Sequence, residues 1–358
     1  MIKNAELADL TLTDPTYQAN DAPGIFHRVA RRLIRDERDV PFVRLIVLLS
    51  LTVIPAATLL YVPGVYSIWL ALGYWAMIGY FIGPFILMLH LTSHRRLFRH
   101  HLNALNLYIP WVLGPFFGET PETYYAHHMG MHHPENNLPD DLSTTMPYQR
   151  DSVLGFLHYW GSFVVLGLVE LVMYMRRRGR TKMARSVLIG EFSFYAIVAL
   201  LWSFHWQATV SVFVVPLLFA RFAMMAGNWG QHAFVDADDP GNAYRNSITC
   251  INAGYNHRCF NDGYHIGHHL SANRHWTDLP VEFMENRDEY LRQGAIIFEG
   301  IDFFMVWLLL MLKRYDLLAD RFVQLGATPL PREKIIALLK ERTARIDTGS
   351  YVAATAAG

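Results

Sequence analysis

The chain has 358 residues with 31 basic and 31 acidic side chains, a formal net charge of zero, which excludes nucleic-acid binding driven by counterion release. Charged residues make up 17% and aromatics 14%, and mean hydropathy is +0.16, so the composition excludes disorder and points to lipid. Two cysteines, Cys250 and Cys259, exclude a disulfide scaffold or a cysteine zinc site and fit a reducing compartment.

Residues 1–44 read as a cytoplasmic segment. The first 40 residues are polar, with no apolar core of a signal peptide. Phe26, Val29, Ala30, Leu33 and Ile34 recur at helical spacing beside Arg28, Arg31, Arg32 and Arg35, which predicts a basic interfacial helix. Residues 45–89 contain no charged side chain. One span needs about 20 residues, so this stretch holds two. They are predicted at 45–62 and 66–89, a first hairpin turning at Val62-Pro63-Gly64. Residues 90–185 follow as a cytoplasmic stretch with interfacial helices. Within it, 105–118 is too short to span, whereas 153–175 is long enough. Residues 186–227 predict a second hairpin, with spans at 187–204 and 208–227 and a polar break at His205-Trp206-Gln207. Its Glu191 and Arg221 are expected to reach the interface by snorkelling. Residues 228–358 return to the cytoplasm, with an amphipathic segment at 295–312 and a disordered tail from Ser350 to Gly358.

The turns 62–65 and 205–207 carry no Lys or Arg, whereas Arg44, Arg95, Arg96, Arg99 and the run Arg176-Arg177-Arg178 flank the spans elsewhere. By the positive-inside rule all the basic pieces are cytoplasmic. Segment 153–175 then starts and ends on one side and belongs at the interface. The expected fold is an all-α integral membrane protein, one domain over 1–358, with four transmembrane helices in two hairpins, interfacial helices and a cytoplasmic histidine-rich cap.

Histidine is the outlier, at 17 residues. His90 and His94 form HxxxH; His128, His132 and His133 form HxxxHH; His265, His268 and His269 form HxxHH; His232 stands alone. Residues four apart on a helix share a face, so His90 with His94, His128 with His132, and His265 with His269 are each expected to aim at one point. The neighbours 132–133 and 268–269 differ by about 100° and can serve two metals. Nine imidazoles exceed the roughly four ligands of one metal and divide as four and five over two. Neutral imidazole suits Fe, Zn, Cu and Ni alike, so spacing does not choose the metal. Two hairpins make four crossings, which leaves every histidine group on the cytoplasmic side.

These three boxes, in this order in a membrane protein, resemble the membrane fatty-acid desaturase and hydroxylase superfamily. The likeness covers about residues 40–280 and includes the pair of spans between boxes two and three. It implies an O2-activating non-heme di-iron centre, two iron ions ligated by the eight box histidines, with His232 resembling an extra ligand. Box three begins with His265 rather than the Gln of front-end desaturases. No HPGG sequence marks a fused cytochrome b5, and no Cys-rich rubredoxin module is present. Electrons are therefore expected from a separate donor of ferredoxin, rubredoxin or cytochrome b5 type and its reductase. The substrate implied is a fatty acyl chain. Removal of a second hydrogen gives an alkene and rebound gives an alcohol. Loss of CO2 from a free acid gives a terminal 1-alkene, as in the superfamily's decarboxylase branch. Members of this size without fused modules imply a bacterial inner membrane rather than the endoplasmic reticulum.

Candidates to orient an imidazole are His127, Asn228, Asn261, Asp262 and Glu135, the last followed by Asp140 and Asp141. Loop caps and a solvated acidic loop are the bland alternatives. Arg95, Arg96, Arg258 and Arg274 flank the boxes and are candidates for a carboxylate or phosphate headgroup. Surface charge on the cytoplasmic face explains them equally well. Two non-enzyme readings compete: a histidine-rich metal transporter, which would place ligands inside the spans, and a heme protein with axial histidines.

Overall fold

A computed structural model of the protein describes residues 9–19, 22 and 24–349; the expected tail from Ser350 lies outside them. The described chain is mostly helical and forms two compact units. One comprises Tyr17–Met131 and Leu168–Phe222; the other comprises Met1–Thr16, His132–Gly167 and Ala223–Gly358.

In the first of these, helix Ile25–Leu33 leaves Ile25, Phe26 and Val29 exposed and buries Ala30. Helix Val40–Leu60 starts with a proline in its first turn, where no backbone donor is missed. It ends at a turn whose Gly64 has φ +79°, a backbone conformation that costs other residues more. Helix Ile68–His94 is capped by Ser67, whose Oγ accepts from the Leu70 N–H at 3.2 Å, and carries His90 and His94 in its last turns. The strand-like segment after it is fixed to the N-terminal region. Phe98 bridges Ile34, Arg99 donates to the Ile34 carbonyl at 2.9 Å, and Arg95 pairs with Asp36 at 2.8 Å. Residues 100–117 form two short 3-10 helices flanking a π-turn at Ile109–Leu113. A helical stretch from Thr123 then passes through a π-turn at His128–His132, a feature often found at functional sites.

Among the described residues, four helical runs are long and apolar enough to cross a membrane: Glu37–Leu60, Ile68–His94, Val153–Arg177 and Thr181–Gln231. The first two match the expected spans. The others redraw the expected set. Val153–Arg177 qualifies by length and hydropathy, whereas the sequence placed it at the interface. The spans expected at 187–204 and 208–227 fall in one 51-residue run. At about 1.5 Å per residue a straight run would measure about 77 Å, far beyond a hydrocarbon core of about 30 Å. It is not straight. His205 has φ −157° and ψ 87°, and the rings of Phe194 and Phe213 come within 6.2 Å. Nor does Glu191 snorkel. It is buried and accepts hydrogen bonds from the Thr120 and Thr123 hydroxyls, because Gly190 lets the Pro121 backbone approach where a Cβ would clash.

The other unit holds an element the sequence reading did not foresee, so the fold is not purely α-helical. Strands Ile248–Ile251 (β1) and Ile296–Glu299 (β2) pair in parallel, Ile248 opposite Ile296. Each face of this ribbon is covered. Cys250, Ile248, Ile296 and Phe298 pack with Phe234, Phe303, Val306 and Leu310. Ile251 and Ile297 pack with Tyr264, Ile266, Phe283 and Tyr290. A strand buried on both faces reads as an unbroken apolar run rather than an alternation. The expected amphipathic segment 295–312 is thus strand β2, a turn at Gly300 with φ +74°, and helix Phe303–Met311. Because Ile266 belongs to the packed layer, β1 and β2 form the floor under the third histidine box.

Candidate metal centre

Four imidazoles of the second unit converge. His132 ends the π-turn, His232 follows helix Val215–Gln231, and His265 and His269 lie one turn apart on helix His265–Leu270. Their ligand nitrogens all lie within 4.8 Å of one another. His265 Nε2 is 3.3 Å from His232 Nε2 and 2.9 Å from His269 Nε2. Bonds of about 2.1 Å in a tetrahedron place ligand nitrogens about 3.4 Å apart, so these rings stand close to the spacing a metal imposes.

Two of the four are held from behind. His132 Nδ1 lies 2.8 Å from the buried Asp141 carboxylate, which also accepts from the N–H of Asn137 and from the N–H and hydroxyl of Ser143. His232 Nδ1 lies 2.9 Å from the Asn246 carbonyl oxygen. Asn246 is itself buried and donates to the carbonyls of Asn136 and Pro240. Such contacts fix the tautomer and leave Nε2 facing the centre. Burial, then the neighbouring His132, lowers the His232 pKa to about 4, and burial with four neighbouring histidines lowers that of His269. Both are neutral at pH 7, the form a metal needs. The donor set therefore fits a bound metal ion.

His133 and His268 stand beside this group with their Nε2 atoms 3.1 Å apart. In the other unit, His90, His94 and His128 form a separate convergence. His94 Nε2 is 2.9 Å from His128 Nε2, and the His90 ring lies 4.4 Å from that of His128. Tyr124 stacks on His128 at 5.5 Å. The expectation that His128 and His132 aim at one point is corrected: they fall in different groups. The phase assumed an α-helix, whereas the chain from His128 to His132 is a π-turn. The members of the adjacent pairs 132–133 and 268–269 fall in different histidine groups.

The remaining candidates are placed as follows. His127 and Glu135 belong to neither histidine group. The Asn228 amide donates to the Ser143 carbonyl and to the Tyr159 hydroxyl, so it braces the loop that carries Asp141. The Asn261 amide donates to the carbonyls of Pro15 and Trp276, and Asp262 accepts from the Tyr255 hydroxyl at 2.9 Å. Of the acidic residues after box two, Asp141 lies against an imidazole, that of His132. Among the arginines, Arg95 pairs with Asp36, Arg96 donates to Asn103, and Arg274 lies 3.4 Å from Glu282; Arg258 is exposed. Sequence reasoning missed Asn246 and the fully buried Arg150. The Arg150 guanidinium donates to the carbonyls of Ala233, Arg342 and Ala344, and burial lowers its pKa to about 9.

Helices long and apolar enough to cross a membrane, together with histidine clusters that could hold a metal ion, define the class: a membrane protein with candidate metal sites. The fatty acid desaturase family profile matches residues 67–301, and the chain belongs to that family, a class of oxidoreductases. No curated protein and no solved structure matches it significantly.

Proposed function

We propose that the protein is an O2-dependent membrane oxidase of fatty acyl chains, desaturase-like in its C–H activation, with two iron ions held by nine imidazoles. The observation that carries the reading is the four-histidine group with its Nδ1 anchors, taken with family membership. His132, His232, His265 and His269 are the ligands of one iron, and His90, His94, His128, His133 and His268 are the candidate ligands that remain. The bound irons supply the oxidising power, with O2 as co-substrate. The chain's own residues do the rest. Asp141 and the Asn246 carbonyl hold the Nδ1 protons of His132 and His232 and so keep Nε2 free for metal. Burial keeps His232 and His269 uncharged. Electrons come from a separate ferredoxin, rubredoxin or cytochrome b5 type donor and its reductase.

We read the membrane topology by parity. The nitrogens of His132 and His232 belong to one group, so an even number of crossings separates them. With the chain bent at His205, Thr181–Gln231 supplies two crossings as a hairpin, and Val153–Arg177 lies along the surface. The first hairpin precedes them, and the N-terminus and all boxes face the cytoplasm of a bacterial inner membrane.

Product analysis tests the proposal. A host expressing the gene should accumulate new alkenyl or hydroxylated acyl chains, or volatile 1-alkenes in the headspace, and His132→Ala and His268→Ala should abolish them. An unchanged lipid and headspace profile, or full product from either variant, contradicts it.

A further inference from the structure

Box three sits on a helix of six residues, His265–Leu270. Isolated helices shorter than about 12 residues are marginal in water, so the aim of His265, His268 and His269 depends on whatever holds the preceding loop. That loop follows a constrained path. Asn252, Phe260 and Asn261 have φ of 52°, 54° and 56°. A Cβ on Gly263 would stand 2.2 Å from the Cys250 carbonyl oxygen.

The fastening comes from the far end of the sequence. Asp14, 6% exposed, accepts from the Asn252 N–H at 2.8 Å, the Asn256 amide at 3.0 Å and the Tyr264 hydroxyl at 2.5 Å. Around it the Thr13 N–H donates to the Asn252 amide oxygen, Asn252 donates to the Thr11 carbonyl, and Asn261 donates to the Pro15 carbonyl. All the donors to Asp14 are neutral, and one of them, Tyr264, immediately precedes His265. A buried carboxylate is costly unless its hydrogen bonds are complete, so the network has one low-energy arrangement.

We infer that Asp14 is a positioning residue for the metal centre: the segment Thr11–Pro15 is a strap that holds the box-three loop and thereby aims three imidazoles. The inference rests on the di-iron reading. It makes Thr11–Pro15 part of the centre's framework through the box-three loop.

The test uses the full-length protein in detergent, loaded with ferrous iron without oxygen, and follows iron loss to a ferrous chelator. Outer-shell changes shift metal affinity by about 10–100-fold. Asp14→Ala should release iron about ten times faster than wild type, with its helical circular dichroism unchanged. Asp14→Asn, which keeps one acceptor oxygen, should be intermediate, and Tyr264→Phe should be accelerated too. The double variant Asp14→Ala/Tyr264→Phe should be no faster than Asp14→Ala alone, because both remove the same bond. Wild-type release from Asp14→Ala overturns the inference. If that variant does not fold, Tyr264→Phe, which loses a single oxygen, decides, and wild-type release from it overturns the inference equally. Wild-type protein that takes up no iron overturns the di-iron reading and the strap's role with it, and the unmutated control alone reveals that outcome.

Discussion

Asp141→Asn is the sharpest probe of the four-histidine group. The carboxylate has four donors: His132 Nδ1 and the Asn137 N–H on one oxygen, and the N–H and hydroxyl of Ser143 on the other. An amide has a single acceptor oxygen. Whichever way it turns, its NH2 faces a donor it cannot satisfy. If the oxygen stays with His132, the Ser143 N–H is left unpaired in a buried site, at about 1–3 kcal/mol. If it turns to Ser143, His132 loses its anchor, and affinity falls about 10–100-fold, or about 1.4–2.8 kcal/mol at about 1.4 kcal/mol per decade. An anaerobic competition titration against a ferrous chelator should show one iron per chain weakened by that factor and the other nearly unaffected. Equal affinity for both irons at wild-type strength would refute the role given to Asp141.

Three further outcomes are expected. Arg150→Met removes the donors to three carbonyls, one buried and two half-buried, at about 1 kcal/mol each, so thermal unfolding in detergent should shift down clearly; an unchanged midpoint contradicts the clamp. Burial, opposed by Arg221 and reinforced by Glu191, raises the Glu119 pKa from 4.5 to about 7. A raised carboxylate pKa favours the protonated folded state, so stability should fall as pH rises from about 4.5 through 7. Glu119→Gln should flatten that profile between pH 5 and 8, and a profile identical to wild type contradicts it. Gly263→Ala places a Cβ 2.2 Å from the Cys250 carbonyl and should lower both stability and iron content; wild-type values for both contradict the close approach.

The histidine boxes were legible because ligand geometry imposes a helical phase, and a phase survives in a one-dimensional pattern. The first two apolar helices were legible for a similar reason, since hydrocarbon thickness sets their length. What stayed hidden depends on partners distant in sequence. Asp141 could not be told from Glu135 by spacing; only the loop held by Asn228 and Tyr159 turns it towards His132. Asn246 acts through its backbone carbonyl, which leaves no mark on residue type. Asp14 reaches Tyr264 across 250 positions. The β1–β2 ribbon is four residues deep and apolar on both faces, so it carries no alternation to read. Glu191 was misread because its hydroxyl donors, Thr120 and Thr123, lie some seventy residues away.

The central claim is that these imidazoles hold two irons. Metal analysis of protein purified without oxygen reads it directly. The account predicts about two irons per chain, falling to about one in His232→Ala, whose ring belongs only to the four-histidine group. Zinc alone, with no activity lost when iron is chelated, would contradict it.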